Sequence, residues 1–215
     1  MSNEQLMYVT NRKKHGSMLF SEYVKFPAKS NSGLKNNGKV FVATSGMEFG
    51  TLVDALITQR DRVDYKSPQY ADAKRVADHL MAKYSFIEHA QKQVAFTGML
   101  TDGTRELYMK GLLDFYLEHG DSRTVIDMKI TGASLSSYES TIKHFGYDDQ
   151  LWIYGNLAGA EKRILLVYST KNKRSELMER KMDSGYNEFY YRALHEHGKP
   201  TQALIENCRW RSAVR

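Results

Sequence analysis

The feature that most constrains the fold is a run of three strand-like segments joined by two short turns. The segments span residues 93–100, 105–117 and 123–131, and each is built around an apolar run. The intervening turns, TDGT and EHGDS, carry Asp and Gly in their middles, where a positive φ is tolerated. Tight turns of this kind join neighbouring strands that run in opposite directions. The sequence therefore predicts an antiparallel meander.

The rest of the chain is mostly helical in pattern. Apolar side chains recur at three- and four-residue steps both before and after the meander, which is typical of helices packed on a sheet. Helices are predicted at 49–58, 69–89, 137–144, 148–157 and 175–197, and a further strand of the same sheet at 162–170.

These elements predict one domain that covers residues 1–215. Residues 1–40 are rich in Lys, Asn, Ser and Gly and predict a loop-rich extension, and residues from about 205–215 predict a basic tail. No internal repeat and no convincing linker divides the chain. The fold class is α/β, more closely an α+β sandwich, in which helices flank a central mixed sheet that contains the meander.

Composition narrows the class of function. The net charge is +6 and the pI is near 9.2, which suits a polyanionic partner without identifying one. The longest apolar runs are too short to cross a bilayer, and the first residues lack the apolar centre of a signal peptide. The single cysteine, Cys208, excludes an internal disulfide framework and a cysteine-based zinc site. We therefore expect a cytoplasmic protein that does not associate with membranes.

Three charged residues on the meander form a candidate catalytic constellation. Asp127 and Lys129 are two apart on a predicted strand, so their side chains emerge on the same face. Asp114 lies on the preceding strand and approaches Asp127 if the hairpin pairs through its EHGDS turn. Two such carboxylates repel each other unless a cation lies between them, and a hard divalent cation fits. The competing interpretation places Asp127 and Lys129 on the solvated face of an edge strand.

The wider pattern resembles the PD-(D/E)XK nuclease superfamily. KGLLD contains Gly-x-x-Asp, VIDMKIT contains Ile-Asp-x-Lys-x-Thr, and the next helix contains Tyr-x-x-Gln-x-x-x-Tyr with Gln150 and Tyr154. Over about fifty residues this order is similar to the RecB/RecE-type branch, which includes exonuclease VIII and the lambda-type exonucleases. The resemblance implies a restriction-endonuclease-like core.

The resemblance also implies roles for individual residues. Asp114, Asp127 and the backbone carbonyl of Met128 would hold Mg²⁺, for which Mn²⁺ would substitute. Lys129 would position or deprotonate the attacking water, or stabilise the pentavalent transition state. Metal and carboxylates act on the pKa of Lys129 in opposite directions, so the sequence leaves its role open.

Other positions carry two interpretations each. The segment 49–58 resembles the Gly-Thr-x-x-His helix of this branch, with Asp54 at the His position as either a metal ligand or a solvated residue. Gln150 and Tyr154 share a helix face that borders the site or packs at a helix–sheet junction. Glu88 and Gln93 lie before the VAFTGML run of the first strand, where the family offers a further acidic ligand.

The function implied is a 5′→3′ exonuclease acting on linear double-stranded DNA in a phage-type recombination system. The expected partners are DNA, a single-strand annealing protein and further copies of the same chain. Lys171, Lys173 and Arg174 are candidate DNA contacts, the alternative being a solvated helix face. Two other functions stay open: an endonuclease or single-strand nuclease on the same core, and an inactive DNA-binding or assembly protein.

Overall fold

A computed structural model describes residues 6–36, 42–181 and 185–202. Its strands are β1 (Tyr8–Ser17), β2 (Gln91–Thr101), β3 (Arg105–His119), β4 (Ser122–Thr131), β5 (Lys162–Ser169), β6 (Arg174–Glu179) and β7 (Lys199–Pro200). Its helices are α1 (Phe20–Tyr23), α2 (Asn31–Asn36), α3 (Ser45–Thr58), α4 (Tyr70–Lys83), α5 (Phe86–His89), α6 (Tyr138–Phe145), α7 (Tyr147–Ala158) and α8 (Glu188–His197).

The strands β2, β3 and β4 form the predicted antiparallel meander. Its turns place Gly103 at a φ of 87° and Gly120 at a φ of 58°, the left-handed region that glycine adopts without steric cost. β5 pairs in parallel with β4, which gives the strand order β1-β2-β3-β4-β5-β6, with β7 paired to β3. This mixed and mostly antiparallel sheet, flanked by helices, confirms the α+β fold class.

Two buried cores are built on the alternating side chains of the sheet. Val125 of β4 joins the core that contains α7 and α8, where Trp152 stacks on Tyr190. The next residue, Ile126, joins the core that α3 and α4 form around residues such as Leu80. Because side chains alternate along a strand, Asp127 and Lys129 share the Val125 side, which is the side of α7. No helix among the described residues is long and apolar enough to cross a membrane.

Edge strands account for the main differences from the sequence prediction. Residues 1–40 are not a loop-rich extension in their described part, because β1 pairs with β2 and two short helices follow. Residues 175–197 do not form one helix, because β6 pairs with β5 and α8 begins at Glu188. Both strands lie at the ends of the sheet and expose most of their side chains, so polar residues mask the alternation. The predicted helix 69–89 is divided into α4 and α5, and the tail 205–215 lies outside the described residues.

Candidate active site

The sheet opens between β3 and β4 at the level of Asp114 and Asp127. The ladder of backbone pairs between these strands ends at Phe115 and Ile126. At the next step the Asp114 carboxylate replaces a backbone acceptor, because its Oδ2 accepts the Met128 N–H at 2.8 Å. Asp114 is therefore held by the backbone of the strand that carries Asp127.

Met128 turns its peptide groups towards this opening. The N–H and C=O of one strand residue point to the same side of the strand. Since the Met128 N–H is bonded to Asp114, its carbonyl also faces the opening rather than β5. This is the orientation that a backbone ligand to a metal in the opening would need.

Lys129 and Asp127 form a close ion pair in the same opening. Lys129 Nζ lies 2.5 Å from Asp127 Oδ2, with the two side chains 18% and 3% exposed. That oxygen has no hydrogen-bonding partner of suitable geometry. The ammonium also lies 4.8 Å from the centre of the Tyr147 ring. Because β4 is flanked by β3 and β5 and Asp127 is buried, the interpretation as the solvated face of an edge strand is wrong.

Asp54 and Gln93 complete the cluster from α3 and β2. The Gln93 amide Nε2 donates to Asp114 Oδ1 at 3.3 Å and to Asp54 Oδ1 at 3.4 Å. The Thr58 hydroxyl donates to the same Asp54 oxygen at 3.1 Å. One amide thus links the carboxylates of α3 and β3. Asp54 belongs to the cluster and is not a solvated helix residue.

Gln93 lies at a backbone irregularity directly opposite Asp114. Its φ of 50° is in the left-handed region, which residues other than glycine rarely adopt. The regular β2–β3 pairs, including Val94 with Leu113, flank but omit Gln93 and Asp114. Backbone strain of this kind concentrates at functional sites. Glu88, the other residue considered from the sequence at this point, is exposed on α5.

Burial governs the proton affinities of the cluster. It raises the pKa of Asp54 to about 6, against the hydrogen bond from Thr58. Burial also raises the pKa of Asp114 well above its usual value, and the charges of Asp127 and Asp54 add to this rise. For Lys129, burial lowers the pKa, but Asp127 and Asp114 outweigh it and the net change is upward. Three carboxyl groups thus lie near the Lys129 ammonium, and Arg62 also acts on Asp54. The raised pKa values of Asp54 and Asp114 show that these cations do not offset burial.

The donors of this cluster fit a hard divalent cation. Within the described ranges, no three His, Cys, Asp or Glu residues are grouped tightly enough to form a ready-made metal site. Asp114 and Asp54 instead accept hydrogen bonds from protein donors, and Asp127 contacts Lys129. The carboxylate and carbonyl oxygens of the cluster are ligands of the kind that Mg²⁺ prefers. One of them, the buried Asp127 Oδ2, lacks a hydrogen bond. Asp54, Asp114, Asp127 and the Met128 carbonyl are thus the groups that would hold the ion.

The α7 pair lies beside the cluster. Gln150 Nε2 donates to the Tyr154 hydroxyl at 3.0 Å, which confirms that the two side chains share a helix face. The Tyr154 ring packs on Gly111 of β3, where a Cβ would lie 2.8 Å from the ring. Burial raises the pKa of Tyr154 well above its usual value, with a further contribution from the charge of Asp127. The pair therefore packs at a helix–sheet junction and also borders the site.

Two of the three basic candidates lie in the turn between β5 and β6, and the third, Arg174, begins β6; none lies on a helix. Lys171, Lys173 and Arg174 are all exposed. Lys173 lines a cavity of about 700 Å³ together with Thr131, the last residue of β4. Since Thr131 follows Lys129 by two residues, this cavity continues from the end of the strand that carries the catalytic candidates.

Comparisons with known proteins add little. No family model matches the chain, and no curated protein matches it. One similar solved structure is titled "Crystal structure of SSO0001"; it is 17% identical, with coverage of 83% of this chain and 84% of that chain and a TM-score of 0.40.

Proposed function

We propose that the chain is a Mg²⁺-dependent deoxyribonuclease that acts as an exonuclease on linear double-stranded DNA. The observation that carries the proposal is the convergence of Asp54, Asp114 and Asp127 with Lys129 where β3 and β4 separate. Buried carboxylates are rare and costly unless they serve a cation or a reaction. Asp114, Asp127 and Lys129 are also the residues on which the sequence resemblance to the PD-(D/E)XK nucleases rests.

Each group has a defined task in this proposal. Asp114, Asp127, Asp54 and the Met128 carbonyl would hold the ion, and the Gln93 amide fixes the orientation of two of the carboxylates. Mg²⁺ held there would lower the pKa of a water molecule and offset charge on the leaving oxygen. Lys129, whose ammonium contacts Asp127, orients the scissile phosphate and stabilises the negative charge that develops on it.

The DNA-end specificity rests on the sequence resemblance together with the charge of the chain. A net charge of +6 and the exposed basic turn that contains Lys173 suit a polyanionic strand. The same resemblance supports a role in phage-type recombination in the host cytoplasm, with a single-strand annealing protein as partner and self-association into oligomers. Mn²⁺ would replace Mg²⁺ with retention of activity.

The test compares end-labelled linear duplex with covalently closed circular DNA of the same sequence in Mg²⁺. The proposal expects release of short products from the linear duplex alone, and no release by Asp127→Ala. Asp78→Ala is the matched control, because Asp78 is an exposed carboxylate on α4 that pairs with Lys74. Cleavage of the circle would assign an endonuclease instead. DNA binding without cleavage in Mg²⁺ or Mn²⁺ would contradict the enzyme and favour a binding protein.

A further inference from the structure

Arg163 of β5 carries a buried charge beside the C-terminal half of α7. This residue is on β5, in register with Val125 of β4, and is 7% exposed. Its Nε has no hydrogen-bonding partner. Burial lowers the pKa of the guanidinium, and no carboxylate of the described residues offsets this effect. A buried guanidinium without a counter-charge is costly, so the surroundings of Arg163 are electrostatically incomplete.

The sequence of α7 makes room for this side chain. Arg163 lies across the helix at Gly155, where a Cβ would overlap its Nε. Glycine weakens the interior of a helix relative to alanine. The glycine at position 155 lowers the stability of the helix but leaves the space that the Arg163 guanidinium fills.

Arg163 lines an open cavity of about 480 Å³ beside the end of α7. Arg12 of β1 and Asn156 of α7 line the same cavity, and none of its described lining residues is acidic. Tyr8, which is 50% exposed, and Leu6, which is 65% exposed, line it as well. Two arginines thus line one concave space that is open to solvent, while the Asn156 amide nitrogen donates to the Trp152 carbonyl at 2.9 Å.

A purely structural explanation accounts for this arrangement less well. Cations stabilise the C-terminal end of a helix when they complement its dipole or bond its last carbonyls. Arg123, near Gly159, suits that role and is also paired with Glu118 at 3.3 Å. Arg163 instead leaves Nε unbonded although it is buried beside the same helix. The buried Nε is thus uncompensated from within the protein, and the same residue lines the cavity, which is open to solvent.

We propose that this cavity is a binding site for a phosphate group, held by the guanidinium groups of Arg163 and Arg12. A guanidinium presents a planar set of donors that matches the oxygens of a phosphate, often through two parallel hydrogen bonds. The phosphate belongs either to a nucleic-acid backbone or to a free inorganic ion. The site does not depend on the proposed cleavage chemistry, because it lies apart from the carboxylate cluster.

The experiment follows thermal unfolding of the full chain, without divalent metal, as sodium phosphate is titrated against sodium chloride of matched ionic strength. A ligand that binds the folded state raises the melting temperature by mass action, so phosphate should stabilise the wild type more than chloride. Arg163→Met should weaken the apparent phosphate affinity at least ~10-fold, the loss expected for a charge-assisted hydrogen bond. Without phosphate this variant should melt at or above the wild-type temperature, because it removes an uncompensated buried cation.

Two further variants keep the test decisive. Arg192→Met is the matched control, because Arg192 is an exposed arginine on α8, and it should respond to phosphate like the wild type. Arg12→Met changes an exposed residue and should also weaken phosphate binding, which preserves the test if Arg163→Met fails to fold. Equal stabilisation of the wild type by phosphate and chloride would overturn the proposal, and so would a wild-type phosphate response in both Arg163→Met and Arg12→Met.

A second arm identifies the source of the phosphate. Binding of single-stranded and duplex oligonucleotides is measured in Ca²⁺ for the wild type, Arg163→Met and Arg192→Met. If Arg163→Met weakens both phosphate and oligonucleotide binding, the cavity holds the backbone of a nucleic acid. If it weakens the response to inorganic phosphate alone, the cavity holds a small oxyanion. Either result supports the phosphate site.

Discussion

The amide of Gln93 donates to Asp114 Oδ1 at 3.3 Å and joins a strained residue of β2 to a carboxylate of β3. The same amide reaches Asp54, so two carboxylates from separate elements share one neutral donor. Such a bridge holds both oxygens in place without adding charge. It therefore orients the proposed ligands and leaves the demand for a cation intact.

The first prediction concerns this bridge. Gln93→Ala removes the shared donor, so both carboxylates should lose their orientation, and Mg²⁺-dependent cleavage should fall by about 10–100-fold, as for other groups that orient metal ligands. The apparent Mg²⁺ affinity, measured by the metal-dependent rise in melting temperature, should fall as well. Gln91→Ala, an exposed change on the same strand, serves as the control. Unchanged cleavage and Mg²⁺ response in Gln93→Ala would leave the glutamine without a positioning role.

The second prediction concerns the metal ligands. Asp127→Ala should abolish cleavage because the change removes a ligand. It relieves carboxylate repulsion but also leaves the buried Lys129 ammonium without its closest counter-charge, so the metal-free melting temperature should fall. Asp114→Ala should also abolish cleavage, but it leaves the buried Met128 N–H without its acceptor, at a cost of about 1–3 kcal/mol. Mg²⁺ should stabilise only the wild type among the three; wild-type cleavage by either variant would refute the ligand assignment.

The site could be predicted in part because some of its geometry is local. The spacing of Asp127 and Lys129 fixes a shared face on any strand, and the Gly120 turn sets the register that brings Asp114 alongside. The Gln93 contact could not be derived in this way, because it depends on a positive φ in a residue whose sequence context reads as ordinary strand. Its polarity, just before the apolar VAF run, was the only local signal.

The strands and helices likewise divide into those that local sequence predicts and those that depend on tertiary packing. The apolar segments of β2, β3, β4 and β5 show clear patterns because their side chains are buried against helices. The strand β1 contains NRKKHGS and exposes most of it at the sheet edge, so its composition is that of a loop. Its pairing with β2 comes from the tertiary structure. The position of Asp54 is likewise set by the packing of α3 on β4, which no local pattern specifies.

The third prediction is a pH dependence of the metal-free protein. The folded-state pKa of Asp54 is raised from 3.8 to about 6, so the folded state binds this proton more tightly than the unfolded state. This contribution to stability is complete below the unfolded pKa and is lost as pH rises through the folded pKa. Asp54 alone should therefore make the protein about 1 kcal/mol less stable at about pH 7 than at about pH 5. Urea unfolding in EDTA measures this change, which Asp54→Asn should diminish and the exposed-site control Asp72→Asn should not; an equal pH dependence in Asp54→Asn and the wild type would contradict it.

The last prediction separates an enzyme from a DNA-binding protein through Lys129. Its ammonium lies between Asp127 and the Tyr147 ring, where a compact group fits and a guanidinium would meet the ring or displace the carboxylate. A binding protein would use this lysine as a phosphate contact, for which arginine serves equally well. We expect Lys129→Arg to bind linear duplex in Ca²⁺ within a few-fold of the wild type and to lose at least ~10²-fold of its cleavage rate in Mg²⁺, the loss typical of a displaced charge-stabilising group. The matched control is Lys173→Arg on the exposed β5–β6 turn, which should cut normally. Near wild-type cleavage by Lys129→Arg would remove the catalytic role of this lysine, even if the metal assignment stood.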